Sequence, residues 1–342
     1  MNRFLGVCGL IILLCGGGHL LLAQSGGQKS FEFLSLPTNA RTAALGGVNV
    51  SWYGDDVNQF LSNPALLNTE VSRHLALNYL DFYAGIGYTN LVYAFNNEKT
   101  GNWGIGMQYL NYGEIEGRDE TGVETGKFRA SDFAINVSKS HQIGPINMGV
   151  NLRFLYSGVE SFKAQALVAD IGGVFKHPNQ DLSIGLVFKH VGFLLSDFSA
   201  TSNSKIPFDV QTGVSFKPTH MPVRFSLTAY NLVNKLYEEK ENLTEEQQAE
   251  EPSVVDKMAR HLAIGLELLL SKNFNVRAGY NHLQRKELRL EGTSGGAGLS
   301  FGFQAKIKAF ELAYSRSFYH TAGGTNYLTF GGNLDSLFKK KL

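Results

Sequence analysis

From residue 74 onward, apolar and polar side chains alternate. The segment "INMGVNLRFLY" puts Ile146, Met148, Val150, Leu152, Phe154 and Tyr156 on one face and Asn147, Gly149, Asn151 and Arg153 on the other. "FAINVSKS", "VRFSLTAY" and "FNVRAGYN" repeat the pattern, with Ser226, Thr228, Asn275 and Arg277 on polar faces. A period of two is that of a strand with one apolar and one polar side. Fourteen such runs are predicted: 74–83, 86–95, 102–112, 131–141, 145–157, 165–176, 180–192, 206–217, 221–232, 258–270, 272–281, 295–304, 306–316 and 324–333. Most match the length of about 9–11 residues that a tilted strand needs to cross a bilayer.

A soluble sandwich would also alternate, so the links between runs decide. Those after even runs are short, such as "QIGP", "HPN" and "PTHM". Those after the third and later odd runs are longer, the longest spanning 233–257. Short turns alternating with long loops around an even strand count describe an outer-membrane barrel with both termini on the short-turn, periplasmic side. In lipid every backbone N–H and C=O needs a partner, which forces such strands to close into a ring. Aromatics near run ends, including Tyr79, Phe82, Tyr83, Tyr109, Tyr112 and Phe193, suit interfacial girdles. The expected fold class is therefore all-β, a transmembrane antiparallel β-barrel of about 14 strands. The tail after run 14, "SLFKKKL", departs from the usual terminal aromatic: Phe338 is followed by three Lys and Leu342.

The first residues place the chain. Arg3, an apolar stretch from Phe4 to Leu22 and Ala23 before polar Gln24 read as a signal peptide over 1–23, cut after Ala23. A retained anchor is the competing reading of that stretch. Cys8 and Cys15 both fall in the leader, so the exported chain has no disulfide, thiol nucleophile or Cys-ligated metal. A net charge of +1 over 342 residues leaves no electrostatic footprint for nucleic acid.

Residues 24–73 do not alternate. They hold Asn39-Ala40-Arg41, the pair Gly46-Gly47, "VNVSWYGDD" and Asn63-Pro64-Ala65. On these motifs the segment resembles the N-terminal region of the PorV/PorQ branch of FadL-like outer-membrane barrels, from the type IX secretion system. The resemblance implies an N-terminal hatch over 24–73 inside a barrel of 74–342. Gly46 and Gly47 would supply positive φ or close approach, Pro64 a turn, and Arg41 a partner for an inward carboxylate such as Glu311. It also implies a non-catalytic scaffold that tethers a surface protein resembling PorZ. The scaffold would work in an attachment complex with PorU and PorV, against the lipid and lipopolysaccharide of a Gram-negative outer membrane. The alternative it carries is a FadL-like channel for small hydrophobic molecules with the hatch as gate. The mostly polar lumen faces of the runs weigh against that alternative.

Other chemistry is thinly supported. Tyr53-Gly54-Asp55-Asp56 matches a polymerase metal string, but an exported barrel lacks the palm of carboxylates and the nucleotide. A turn, with Asp55 or Asp56 capping "VNQFLSNPALL", is expected instead. The nine His residues form no HExxH, and no GxSxG occurs. Ser317 with His320 is the one local pair that suggests a hydrolase. No cofactor is expected. The link at 233–257 carries eight acids, and Thr244 starts a predicted helix that Pro252 ends. Glu245, Glu246, Glu250 and Glu251 are its candidate partner-binding residues, against the plainer reading of a solvated surface helix.

Overall fold

Each of fourteen strands pairs antiparallel with its sequence neighbours, and the first pairs with the last to close the ring. In the computed structural model, residues 30–119, 121–199, 201–234, 236, 253–288, 295–320 and 323–338 are described. The leader at 1–23 and the loop acids Glu245, Glu246, Glu250 and Glu251 lie outside them. The strands are β1 (His74–Asp81), β2 (Gly87–Asn97), β3 (Gly101–Arg118), β4 (Glu124–Ile143), β5 (Ile146–Val159), β6 (Phe162–Lys176) and β7 (Asp181–Ser196). The second half holds β8 (Asp209–Lys217), β9 (Val223–Ala229), β10 (Leu262–Leu269), β11 (Phe274–Asn281), β12 (Leu299–Ile307), β13 (Phe310–His320) and β14 (Gly323–Asn333). The seam runs in register from His74 opposite Asn333 to Asp81 opposite Asn326.

Alternation maps onto the two sides of the wall. Val150 and Leu152 are exposed on the outside at 43% and 54%, while Asn151 and Arg153 between them are closed off at 0% and 1%. The exposed face is an apolar belt suited to lipid, because every backbone group in the belt is paired within the ring. Among the described residues no helix is long and apolar enough to cross a membrane.

Three expectations are corrected. The links after β3 and β5 are not long loops. The polar stretch at 113–130 continues as a paired hairpin past a shift in register at Asn111 and Glu114. A polar ladder in water still satisfies its backbone, and Glu114 pairs across it with Arg129 at 3.1 Å. Second, Phe82 and Tyr112 are not girdle residues; they pack inward against the lumen core. Third, the two ends of the described chain lie at opposite mouths. The Ser30 N–H donates to the Lys205 carbonyl in the β7–β8 link, at the long-link end. A short helix α4 (Leu334–Phe338) follows β14 at the short-turn end, where Arg73 pairs with Asp335 at 2.6 Å.

Residues 30–73 run down the lumen between those mouths. The segment is built of short turns, and after the first, at Glu32–Ser35, each is opened by an amide or carboxylate that accepts from a backbone N–H two or three residues on. Asn39 caps α1 (Ala40–Ala44) through Thr42, Asp56 caps 57–61 through Asn58, and Asn63 caps 64–66 through Ala65 with Pro64 in the first turn. Asn68 does the same for 69–71 through Glu70. Most of the segment is buried against the wall.

Candidate functional site

The lumen is filled in two layers of opposite chemistry. The inner layer, nearer the short turns, is ionic. The Arg41 guanidinium meets Glu267 of β10 at 2.5 Å, Arg277 of β11 reaches the same carboxylate at 2.8 Å, and Arg224 of β9 at 3.2 Å. Arg41 stacks 3.2 Å from the centre of the Trp52 ring, with Arg224 5.2 Å from that centre. The carboxylate is Glu267, not the expected Glu311, which pairs with Lys306 at 3.7 Å. Glu311 sits near the turn end of β13, too low for Arg41 on α1. Across the lumen Arg153 pairs with Asp170 and also donates to the Leu61 carbonyl of the hatch at 2.8 Å. Asp170 accepts the His190 N–H at 2.8 Å. There β7 bulges: His190 has φ of 58°, so Lys189 and His190 both point inward.

The outer layer is apolar. Phe31, Phe33 and Leu34 pack with Leu80, Tyr88, Leu110, Leu155, Val168 and Tyr327 of the wall. The inward faces of the strands are mostly polar, as expected, and this layer is the apolar exception to them. Beside this layer lies a cavity of about 530 Å³ of mixed lining, with Leu34, Leu36 and Leu283 on one hand and Lys189, Asp209 and Glu287 on the other. The outer-end helix α3 (His282–Glu287) lines it, and a second outer-end helix, α2 (Val254–Ala259), stands beside α3. Asp256 joins them, meeting His282 at 2.8 Å, Lys286 at 2.9 Å and Arg260 at 3.0 Å. Burial alone would raise its pKa, but the hydrogen bonds from these three partners hold it well below the usual carboxylate range. Glu287, which lines the cavity, is raised by burial against a smaller opposing effect of Arg260.

The motif residues of the hatch lie against the wall. The Ala40 N–H donates to Thr329 at 3.0 Å. Gly46 and Gly47 both have φ of 88°, and the Gly46 carbonyl accepts from Asn281 at 2.9 Å. The approach is close on both sides: a Cβ at Gly279 would sit 2.2 Å from the Gly46 nitrogen. Asn63 donates to the Val50 carbonyl at 2.9 Å, the Ala65 carbonyl accepts from Asn147 at 2.6 Å, and a Cβ at Gly149 would sit 2.4 Å from the Pro64 carbonyl carbon.

The remaining candidates dissolve into structure. Asp56 is spent on its cap, and Asp55 pairs with Lys306. The Ser317 hydroxyl donates to the Ala43 carbonyl at 3.4 Å; the side chain of His320 is outside the described set. Among the described residues no group of three or more His, Cys, Asp or Glu could hold a metal ion. Sequence reasoning passed over Glu267, Asp170 and the inward glycines. Their signal was available: single carboxylates and glycines at inward positions of otherwise apolar strands.

No family model and no curated protein matches the sequence. Two solved structures share the architecture. A deletion mutant named as the TodX monoaromatic hydrocarbon channel, deltaS2S3, superposes with a TM-score of 0.56 at 11% identity, over 86% of this chain and 98% of that one. A deltaS2 mutant of the same channel gives 0.54 at 13% identity, over 86% and 96%. The fold is FadL-like. A Pseudomonas aeruginosa FadL homologue is also similar, with a TM-score of 0.48 at 9% identity over 86% and 98%. At these identities the likeness establishes fold alone.

Proposed function

We propose that this barrel resides in the outer membrane and admits small hydrophobic molecules, with the hatch as its gate and no covalent chemistry of its own. The observation that carries this reading is the apolar outer layer, whose occupants Phe31, Phe33 and Leu34 come from the chain itself. Apolar contact is non-directional, so a hydrophobic molecule can replace those side chains without leaving a polar group unpaired. Apolar walls with a few polar groups are the usual chemistry of small-molecule sites. The two channel structures support the reading because their names give monoaromatic hydrocarbons as cargo. The test is equilibrium binding of a labelled monoaromatic hydrocarbon to purified protein. Saturable binding that strengthens in Phe31→Ala/Phe33→Ala supports it. No binding in either protein, together with unchanged uptake in a deletion strain, rejects it.

A second reading, the secretion-system scaffold of the PorV/PorQ branch, is favoured by the β3–β4 hairpin. At 18 and 20 residues these strands far exceed the roughly 9–11 that crossing requires and form a paired arm beyond the bilayer. Such an arm suits a PorZ-like surface partner and its PorU and PorV neighbours. Deleting the protein would then release a surface protein into the medium while hydrocarbon uptake stays normal.

A further inference from the structure

A second cavity, of about 630 Å³, opens at the short-turn mouth, on the far side of the ionic layer from the outer cavity. Its lining is strongly cationic: Arg41, Lys217, Arg224, Lys272 and Lys306, with His220 at the rim. Among the described residues Asp55 is the one carboxylate in the lining, and Lys306 already holds it. Arg41 and Arg224 share Glu267 with Arg277, and Arg224 also reaches Asp181 at 3.1 Å. Lys217 and Lys272 make no ion pair among the described residues. Lys217 ends β8 and Lys272 lies in the turn between β10 and β11, and both line the cavity.

Buried donors point the same way. Arg41 is 4% exposed, lines this cavity, and its Nε has no hydrogen-bond partner. The Nε of Arg224 is likewise buried without a partner. Buried charged donors are ordinarily satisfied, and a bound ion is one way an exception beside a cavity is met. Guanidinium groups bind oxyanions bidentately and lysines bind them as point charges. Trp52 contributes a flat wall beneath both arginines.

We infer that this inner-mouth cavity is an oxyanion site for a phosphate group, carried either by a lipid headgroup or by a soluble phosphate. Phosphate fits better than a single carboxylate because the lining offers one ligand two lysines without ion pairs among the described residues and two arginines that share Glu267 with a third. The inference does not depend on what passes the outer chamber.

The chain has two tryptophans, so in a Trp103→Phe background Trp52 reports on its own cavity. The purified barrel in non-ionic detergent is titrated with inorganic phosphate and, separately, with dihexanoyl phosphatidic acid, with sodium chloride holding ionic strength constant. Trp52 emission is read alongside calorimetry, which detects binding that leaves the emission unchanged. Saturable binding is expected, weakened at least about tenfold in Lys217→Gln/Lys272→Gln, since each lysine removed costs a charge-assisted contact. Lys217 stands at the turn end of β8 and Lys272 in a turn, and neither makes an ion pair among the described residues, so the variant keeps its heat-modifiable barrel. Comparable binding of both probes assigns the site to soluble phosphate; binding of the lipid alone assigns it to a headgroup. No saturable binding of either probe, or an unchanged midpoint in the double variant, overturns the inference.

Discussion

Phe33 and Arg41 sit a few residues apart on one segment, yet they meet walls of opposite character. Phe33 lies among apolar side chains that any hydrophobic group of similar size could replace. Arg41 lies in a ring of charge where Glu267 answers three guanidinium groups. The contrast separates two jobs. Directional, charged contacts fix where the hatch stands, and their removal strands charge in a closed space. Non-directional contacts fill volume and can be exchanged for another occupant. A hatch held by its lower half and merely packed by its upper half can yield at one end while staying seated at the other.

The sharpest way to break this comparison is Glu267→Ala. It leaves Arg41, Arg224 and Arg277 facing one another without their carboxylate, at a cost of about 3–5 kcal/mol. The heat-modifiable folded band should fall steeply on cold electrophoresis. A band of normal intensity would show that the ionic layer does not anchor the hatch. Gly279→Val comes next. Its side chain would enter the space of the Gly46 backbone, and overpacking of this kind costs about 1–3 kcal/mol. Thermal melting of the barrel in detergent should drop accordingly, while Gly173→Ala, where a Cβ would meet nothing within 4 Å, should melt like the parent.

Phe33→Ala tests the other layer. Core truncations of Phe cost about 3–5 kcal/mol when the cavity stays empty, but here an open cavity adjoins and water can enter. The barrel should therefore fold normally, with faster proteolysis near residue 33 as the readout. If Phe33→Ala proves as damaging as Glu267→Ala, the two layers do not differ as argued.

The strands were legible because a single physical rule acts on every one of them. A side chain faces either lipid or lumen, so a period of two survives the whole length of the wall. That is why Val150 and Asn151 could be assigned opposite sides from the sequence. The partners inside the lumen obey no such rule. Alternation puts Glu267 and Glu311 on the same inward face, but only the height of α1 in the barrel selects Glu267 for Arg41. The apolar layer escaped for a related reason. Its wall residues, such as Leu80, Leu110 and Leu155, come from strands far apart in sequence, and none stands out within its own run.

The smallest effect belongs to the outer rim. Asp256→Asn should loosen α2 from α3 by about 1 kcal/mol and leave the ring intact. Its pKa is depressed in the folded state, so the tie contributes fully above the ordinary value of 3.8 and is lost as pH falls below it. Hydrogen exchange at 254–259 and 282–287 should separate parent from variant at pH 7 and pH 5, and merge the two in stronger acid. Equal exchange at pH 7 would remove Asp256 as the link.

The seam between β1 and β14 bears on how such a molecule is assembled. Its two strands are the first and last of the sheet, so the ring cannot shut until the final strand is available. Contacts this distant in sequence are slow to form. The hatch precedes β1 and emerges at the opposite mouth from the C-terminal helix. Wrapping an open sheet around it requires no passage of the segment through a finished ring. The order of construction is then written into the order of the chain: the filling is laid down first and the wall is drawn around it.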